Sequence, residues 1–176
     1  MRYLNYVFTG CLLVGSGNAL AEINVKVNPI YFLAGGADVD VEYVLDDGKT
    51  IGARAFYWGV EDFLVDDLTV NAYGITSSYY PSGEAYKGLF WAGELSYFDV
   101  DIIDNANFAS GNGALATVKL GYSFRRGSFN MGYAIGASYY TAGTLIEFNL
   151  DGEAVGENDS FDGLRPHGDL TVGWIF

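Results

Sequence analysis

The chain has 176 residues, 9 Lys+Arg against 22 Asp+Glu, a formal charge of −13, and 50% hydrophobic residues. At this length it is one domain. The apolar content excludes a disordered chain, and the acidic balance argues against nucleic acid as a partner. With 24 Gly, 14 Tyr and only 3 Pro, the composition leans away from a helical bundle and toward β structure.

Arg2 is the sole charge before Glu22, residues 6 to 14 are mostly apolar, and Ala19-Leu20-Ala21 has the small-x-small form of a cleavage site. This pattern predicts a signal peptide over residues 1–21, cleaved after Ala21, followed by an exported domain over 22–176. The apolar run is too short to span a membrane as a helix. The single cysteine, Cys11, lies inside this leader; Leu12, Leu13 and Val14 continue the apolar core past it, which argues against a lipoprotein signal. The exported domain is therefore expected to hold its fold without a disulfide.

Period-two alternation between Gly, Asp, Asn and Ser clusters predicts eight strands: 23 to 34, 37 to 46, 50 to 58, 68 to 79, 86 to 98, 114 to 125, 128 to 140 and 165 to 176. Most exceed the usual soluble strand and match the length a tilted strand needs to cross a bilayer. Asp46-Asp47-Gly48-Lys49, Pro81-Ser82-Gly83-Glu84-Ala85 and Arg126-Gly127 make short turns. Residues 59 to 67, 99 to 113 and 141 to 164 make long, acidic loops on the opposite rim. Short turns on one side and long loops on the other fit an all-β, eight-stranded antiparallel up-and-down transmembrane β-barrel. The first hairpin is the exception: Gly35-Gly36 is a very short outer loop, and residues 23 to 46 also fit one bent strand.

Parity divides most strands into an apolar and a small or polar face. Val39, Val41, Tyr43 and Leu45 oppose Asp38, Asp40 and Glu42; Ile51, Ala53, Ala55 and Tyr57 oppose Gly52, Arg54, Phe56 and Trp58. Leu89, Trp91, Leu95 and Tyr97 oppose Glu94 and Ser96, and Val118, Leu120 and Tyr122 oppose Thr117, Lys119 and Gly121. Strand 68 to 79 lacks clean alternation, consistent with a bulge. A soluble lipocalin-like barrel would turn the apolar face inward. Membrane orientation is favoured by aromatics at both strand ends (Tyr57, Tyr97 and Tyr139; Tyr43, Tyr122, Phe124 and Phe129) and by a polar face rich in small residues.

At the C-terminal end Leu170, Val172, Trp174 and Phe176 alternate with Asp169, Thr171 and Gly173. This pattern resembles the terminal signal that the barrel-assembly machinery recognises in bacterial outer-membrane proteins. With the leader and the strand pattern, the chain resembles the small eight-stranded outer-membrane protein A and X type. The segments Asn28-Pro29-Ile30, Gly35-Gly36 and Val41-Glu42-Tyr43 also resemble small bacterial barrel proteins. The resemblance implies insertion in the bacterial outer membrane, with membrane lipid and lipopolysaccharide as neighbours.

The polar face gathers Glu42, Arg54, Glu94, Lys119, Arg165, His167 and Asp169. Charges in a narrow barrel must be paired or hydrated. Glu42 and Arg54 flank the same tight turn at equal distance, so they are expected to face each other within a Glu42, Arg54, Glu94, Lys119 network that fills the lumen. His167 is the only histidine, so no multi-histidine metal site can form. The His-x-Ser pattern of lipid A deacylases is absent at His167-Gly168-Asp169, while Ser123 or Ser138 could still join His167 in a triad. The loop acids (Glu61, Asp62, Asp66, Asp67, Asp99, Asp101, Asp104, Asp151, Glu153, Glu157, Asp159 and Asp162) lack EF-hand spacing, which leaves divalent-cation binding as a weak expectation beside a solvated surface. Apolar residues among them, including Phe63, Leu64, Ile102, Ile103, Leu145, Ile146 and Phe148, are expected to extend strands above the membrane.

The expected role is non-enzymatic, without a cofactor or metal: envelope structure or surface interaction through acidic loops. A narrow solute channel and a lipid A-modifying enzyme stand as alternatives, because fold alone does not choose among them.

Overall fold

The computed structural model describes residues 22–46, 48–61, 67–104, 107–142, 145–148, 154–158 and 162–176. Residues 1–21, with Cys11, and Phe63, Leu64 and several loop acids lie outside them. Among the described residues, ten strands and one short helix follow in order: β1 (Ile23–Val27), α1 (Pro29–Leu33), β2 (Gly36–Asp46), β3 (Lys49–Glu61), β4 (Asp67–Tyr79), β5 (Gly88–Asp104), β6 (Asn107–Arg126), β7 (Phe129–Ala142), β8 (Leu145–Phe148), β9 (Ala154–Asn158) and β10 (Gly163–Ile175). Successive neighbours pair antiparallel from β1 to β7, β7 pairs with β10, and β10 returns to β1. These eight strands close an up-and-down β-barrel. The remaining two form a hairpin laid on the outer end of β6.

Three expectations change. Strand 23 to 34 ends at Val27, because Asn28 caps a helix: its side chain accepts a hydrogen bond from the Ile30 amide at 3.1 Å, and Pro29 occupies the first turn. Proline has no N–H to extend a ladder and suits the first helical turn. The single bent strand is thereby excluded, since β1 and β2 pair antiparallel through Ile23↔Tyr43 to Val27↔Val39. Above Val27↔Val172, α1 stands between β2 and β10 where a strand would continue.

The loops at 99 to 113 and 141 to 164 are shorter than predicted, because their apolar residues extend strands as expected. β5 and β6 stay paired as far as Asp104↔Asn107, carrying Ile102 and Ile103, while Leu145, Ile146 and Phe148 lie in β8.

Strand β4 has no bulge. Its register to both β3 and β5 is continuous. Val70 and Ala72 face the lumen near the loop rim, while Asn71 and Ser77 lie on the outer side. The hydropathy alternation fades because the upper lumen is itself apolar.

The outer wall is apolar. Ile51, Ile75, Trp91, Leu95, Val118, Leu120 and Ile135 are all exposed, and Tyr57, Tyr73, Tyr97 and Tyr139 extend the belt toward the loop rim. Beyond Tyr73 and Tyr97, which pair across β4 and β5, the outward rows turn polar at Asn71↔Asp99 and Thr69↔Asp101. Asn71 Nδ2 donates to Asp99 Oδ2 at 2.8 Å.

Inside, two lumen phenylalanines lie over glycines on the adjacent strand. Phe90 faces Gly121, and Phe98 faces Gly113. A Cβ on Gly121 would fall 2.5 Å from Phe90 Cζ, so the small residues of the polar face make room for rings. Among the described residues no helix is long and apolar enough to cross a membrane.

Candidate functional site

The lumen is filled in layers. At the turn rim, the connection between β4 and β5 folds into the barrel mouth. Tyr80, Ala85, Tyr86 and Ile175 form a buried cluster with Val44 and Phe90 packed on it. Tyr86 is fully buried with φ 65°, a left-handed conformation that costs a non-glycine residue about 1–3 kcal/mol and is held by its surroundings. Burial pushes the phenols of Tyr80 and Tyr86 well above their ordinary range, so both stay neutral. Above them Asn24 and Asn130 exchange amide hydrogen bonds at 3.2 and 2.8 Å.

The next layer is ionic. Lys26 Nζ donates to Glu42 Oε1 at 2.5 Å and lies 3.1 Å from Asp40 Oδ2. Arg54 grips Asp38 through Nε at 2.7 Å and Nη2 at 2.6 Å, and donates from Nη1 to Glu94 Oε2 at 2.6 Å. Lys119 bridges Glu94 at 3.5 Å and Asp169 at 2.8 Å. Asp169 also accepts from Asn28 Nδ2 at 2.9 Å, and Glu94 from Ser96 Oγ at 2.7 Å. Charge-assisted and bidentate contacts of this kind are the strong ones where little water reaches. The spaces left beside these ions are water-sized, about 20 and 10 Å³.

Of the four residues expected to form one network, the structure brings Arg54, Glu94 and Lys119 together and places Glu42 apart. The expected Glu42–Arg54 contact is not made. Asp46 pairs with Lys49 across a tighter hairpin with a register shift, so Glu42 stands opposite Gly52, and Asp40 opposite Arg54. Glu42 pairs with Lys26 instead, and its Oε2 has no hydrogen-bond partner.

Asp38, Asp169 and Asn28 complete the Arg54–Glu94–Lys119 network, while Lys26 and Asp40 form a second cluster with Glu42. The alternation of Asn24, Lys26 and Asn28 with Ile23, Val25 and Val27 carried the signal for Lys26. Arg165 is exposed and stands outside the ionic layer.

Above the ions the lumen widens into a chamber of about 310 Å³ lined by Tyr31, Phe56, Trp58, Phe98, Leu115 and Tyr140, with Arg54, Glu94 and His167 at its lower edge. Tyr31 of α1 meets Phe56 edge-on with ring centroids 4.8 Å apart, and Trp58 Nε1 donates to the Ala34 carbonyl at 2.8 Å.

Ser138 Oγ lies 3.2 Å from His167 Nδ1. Ser138 is also bonded to Thr117 at 2.8 Å and is 1% exposed, while His167 Nε2 has no partner. A nucleophilic triad needs an exposed hydroxyl and an orienting acid on the second ring nitrogen; this pair has neither. Ser123 is 3% exposed, with its hydroxyl directed to the Met131 carbonyl at 3.5 Å. Among the described residues no group of three His, Cys, Asp or Glu is placed to hold a metal.

Near the C-terminal end, Trp174 and Phe176 are exposed on the outer wall, and Leu170 and Val172 share their face. At the turn rim Arg125 forms a bidentate pair with Glu22 at 2.5 and 2.7 Å, which holds the Glu22 carboxyl below its ordinary range.

No protein-family model matches the chain, and no curated protein matches it. Among solved structures it is similar to the crystal structure of a major outer membrane protein from Thermus thermophilus, with a TM-score of 0.59 and 14% sequence identity. The match covers 90% of this chain and 100% of that one. The likeness shows the fold.

Proposed function

We propose that the chain is a bacterial outer-membrane β-barrel that serves envelope structure or surface interaction rather than free passage of solute. The carrying observation is the pairing of an apolar outer wall with an ion-filled lumen. Each large apolar side chain kept in water forgoes about 1.5–3 kcal/mol. A continuous apolar belt of this kind is far larger than the exposed patches of soluble monomers, so the wall calls for lipid. The turn from apolar to polar outward residues beyond Tyr73 and Tyr97 fits a membrane boundary. The tyrosine plug and the Arg54–Glu94–Lys119 layer would both have to open for solute to cross, which favours the structural role over the narrow channel. The sealed Ser138 hydroxyl disfavours the lipid A-modifying alternative.

In this reading the signal peptide over 1–21 directs export, and Leu170, Val172, Trp174 and Phe176 present the assembly signal to the barrel-assembly machinery. The outer wall meets membrane lipid and lipopolysaccharide, with divalent cations at the acidic loops as candidate bridges. The small outer-membrane protein A and X type is the family this architecture fits.

Cell fractionation followed by gel migration of heated and unheated samples tests the location. An outer-membrane band that shifts on heating is expected; a soluble product would overturn it. Planar-bilayer recording then tests the closed lumen, with no steady conductance expected from the wild type.

A further inference from the structure

We infer that the upper lumen is a binding chamber for a small, uncharged, predominantly apolar molecule such as a one- or two-ring aromatic. An engineered apolar cavity of about 150 Å³ takes benzene, and this chamber of about 310 Å³ has roughly twice that room. Its wall is mostly ring surface from Tyr31, Phe56, Trp58, Phe98 and Tyr140, contributed by α1 and strands of the barrel. An aromatic guest can meet such rings edge-on or offset, the arrangement Tyr31 and Phe56 already adopt.

The charges at the lower edge select against an ionised guest. All three Arg54 nitrogens already have carboxylate partners, and both Glu94 oxygens accept hydrogen bonds. A carboxylate or ammonium settling against the lower edge would lose water there and find Arg54 and Glu94 already engaged with each other and with Asp38 and Ser96, a cost of several kcal/mol. An uncharged ring system pays no such penalty. The feature lies above the ionic layer, so it does not depend on whether the lumen below conducts.

The test uses the full barrel in phosphatidylcholine nanodiscs with Trp91→Phe and Trp174→Phe, leaving Trp58 as the only tryptophan. Bromine quenches tryptophan at short range, so 6-bromo-2-naphthol reports entry and 6-bromo-2-naphthoate supplies the same rings with a negative charge. Saturable quenching by the naphthol is expected, with the naphthoate at least tenfold weaker. Ala72→Phe, which fills the space opposite Phe56, should raise the naphthol half-saturation at least tenfold in protein that keeps its heat-shifted migration. Val70→Phe serves the same purpose should Ala72→Phe not fold. Quenching that rises linearly with probe and is unchanged in the filled barrel would show lipid partitioning alone and overturn the chamber. Equal or tighter binding of the naphthoate would overturn its selectivity for uncharged guests.

Discussion

Arg54 reaches past Asp40, its direct cross-strand neighbour, to hold both oxygens of Asp38 on β2, while its third nitrogen binds Glu94 on β5. One guanidinium thus ties three staves of the barrel. Arg54→Ala would strand the Asp38 carboxylate in a tight interior and leave Glu94 to Lys119 and Ser96, and unpairing a buried charge costs about 3–5 kcal/mol. Urea unfolding in lipid vesicles should show a loss of that order. Arg54→Lys should recover only part of it, because an ammonium cannot make the planar two-bond contact with Asp38.

Asn28 acts twice, capping α1 through its oxygen and donating to Asp169 through its nitrogen. Asn28→Ala should cost about 0.5–2 kcal/mol for the cap. Asp is as good a cap as Asn, yet Asn28→Asp would set a second carboxylate against Asp169. The expected order is therefore Asn28→Asp at least as destabilised as Asn28→Ala. Full stability in Asn28→Asp would show that the Asp169 contact contributes nothing.

Phe90 lies over Gly121 in the lower lumen. Gly121→Val should reduce the heat-shifted, folded fraction on refolding, and adding Phe90→Ala should restore only part of it, because a Cβ there also meets the Tyr133 carbonyl oxygen. No rescue by the second change would assign the cost to the carbonyl contact alone.

The Glu22–Arg125 pair ties the start of β1 to the end of β6 at the turn rim. Because Arg125 lowers the folded-state pKa of Glu22, the pair's contribution is complete above the unfolded carboxyl pKa of about 4.3 and fades as pH falls through the lower folded value. Its exposure limits the effect to roughly 0.2–1 kcal/mol. The urea midpoint of Glu22→Gln should lie below wild type at pH 7, and the two should converge as pH drops below about 4.

Much of the barrel was legible because its strands are two-sided: Val118, Leu120 and Tyr122 against Thr117, Lys119 and Gly121 fix both strand and facing. The same logic failed where the lumen stops being polar. On β4, Val70 and Ala72 point into the chamber, so inside and outside look alike in hydropathy and the pattern reads as a bulge. α1 was hidden because Ile30, Phe32 and Leu33 extend an apolar run that also suits a strand; the Asn28-Pro29 pair was the available signal.

For the ionic layer, the residue types and face were readable but the partners were not. The Asp46↔Lys49 hairpin moves the expected register by two residues, which leaves every side chain on its face and exchanges Asp40 for Glu42 opposite Arg54. A shift that preserves parity leaves no trace in hydropathy.

The apolar outer face is proposed to meet lipid. The most direct test is quenching by brominated phosphatidylcholine in vesicles, using single-tryptophan variants that retain Trp58, Trp91 or Trp174 alone. Trp91 and Trp174 stand on the outer wall and Trp58 lines the lumen chamber. Strong quenching of the first two and little of Trp58 is expected. Strong quenching of Trp58 with Trp91 and Trp174 protected, or a folded protein that never enters the vesicles, would contradict it.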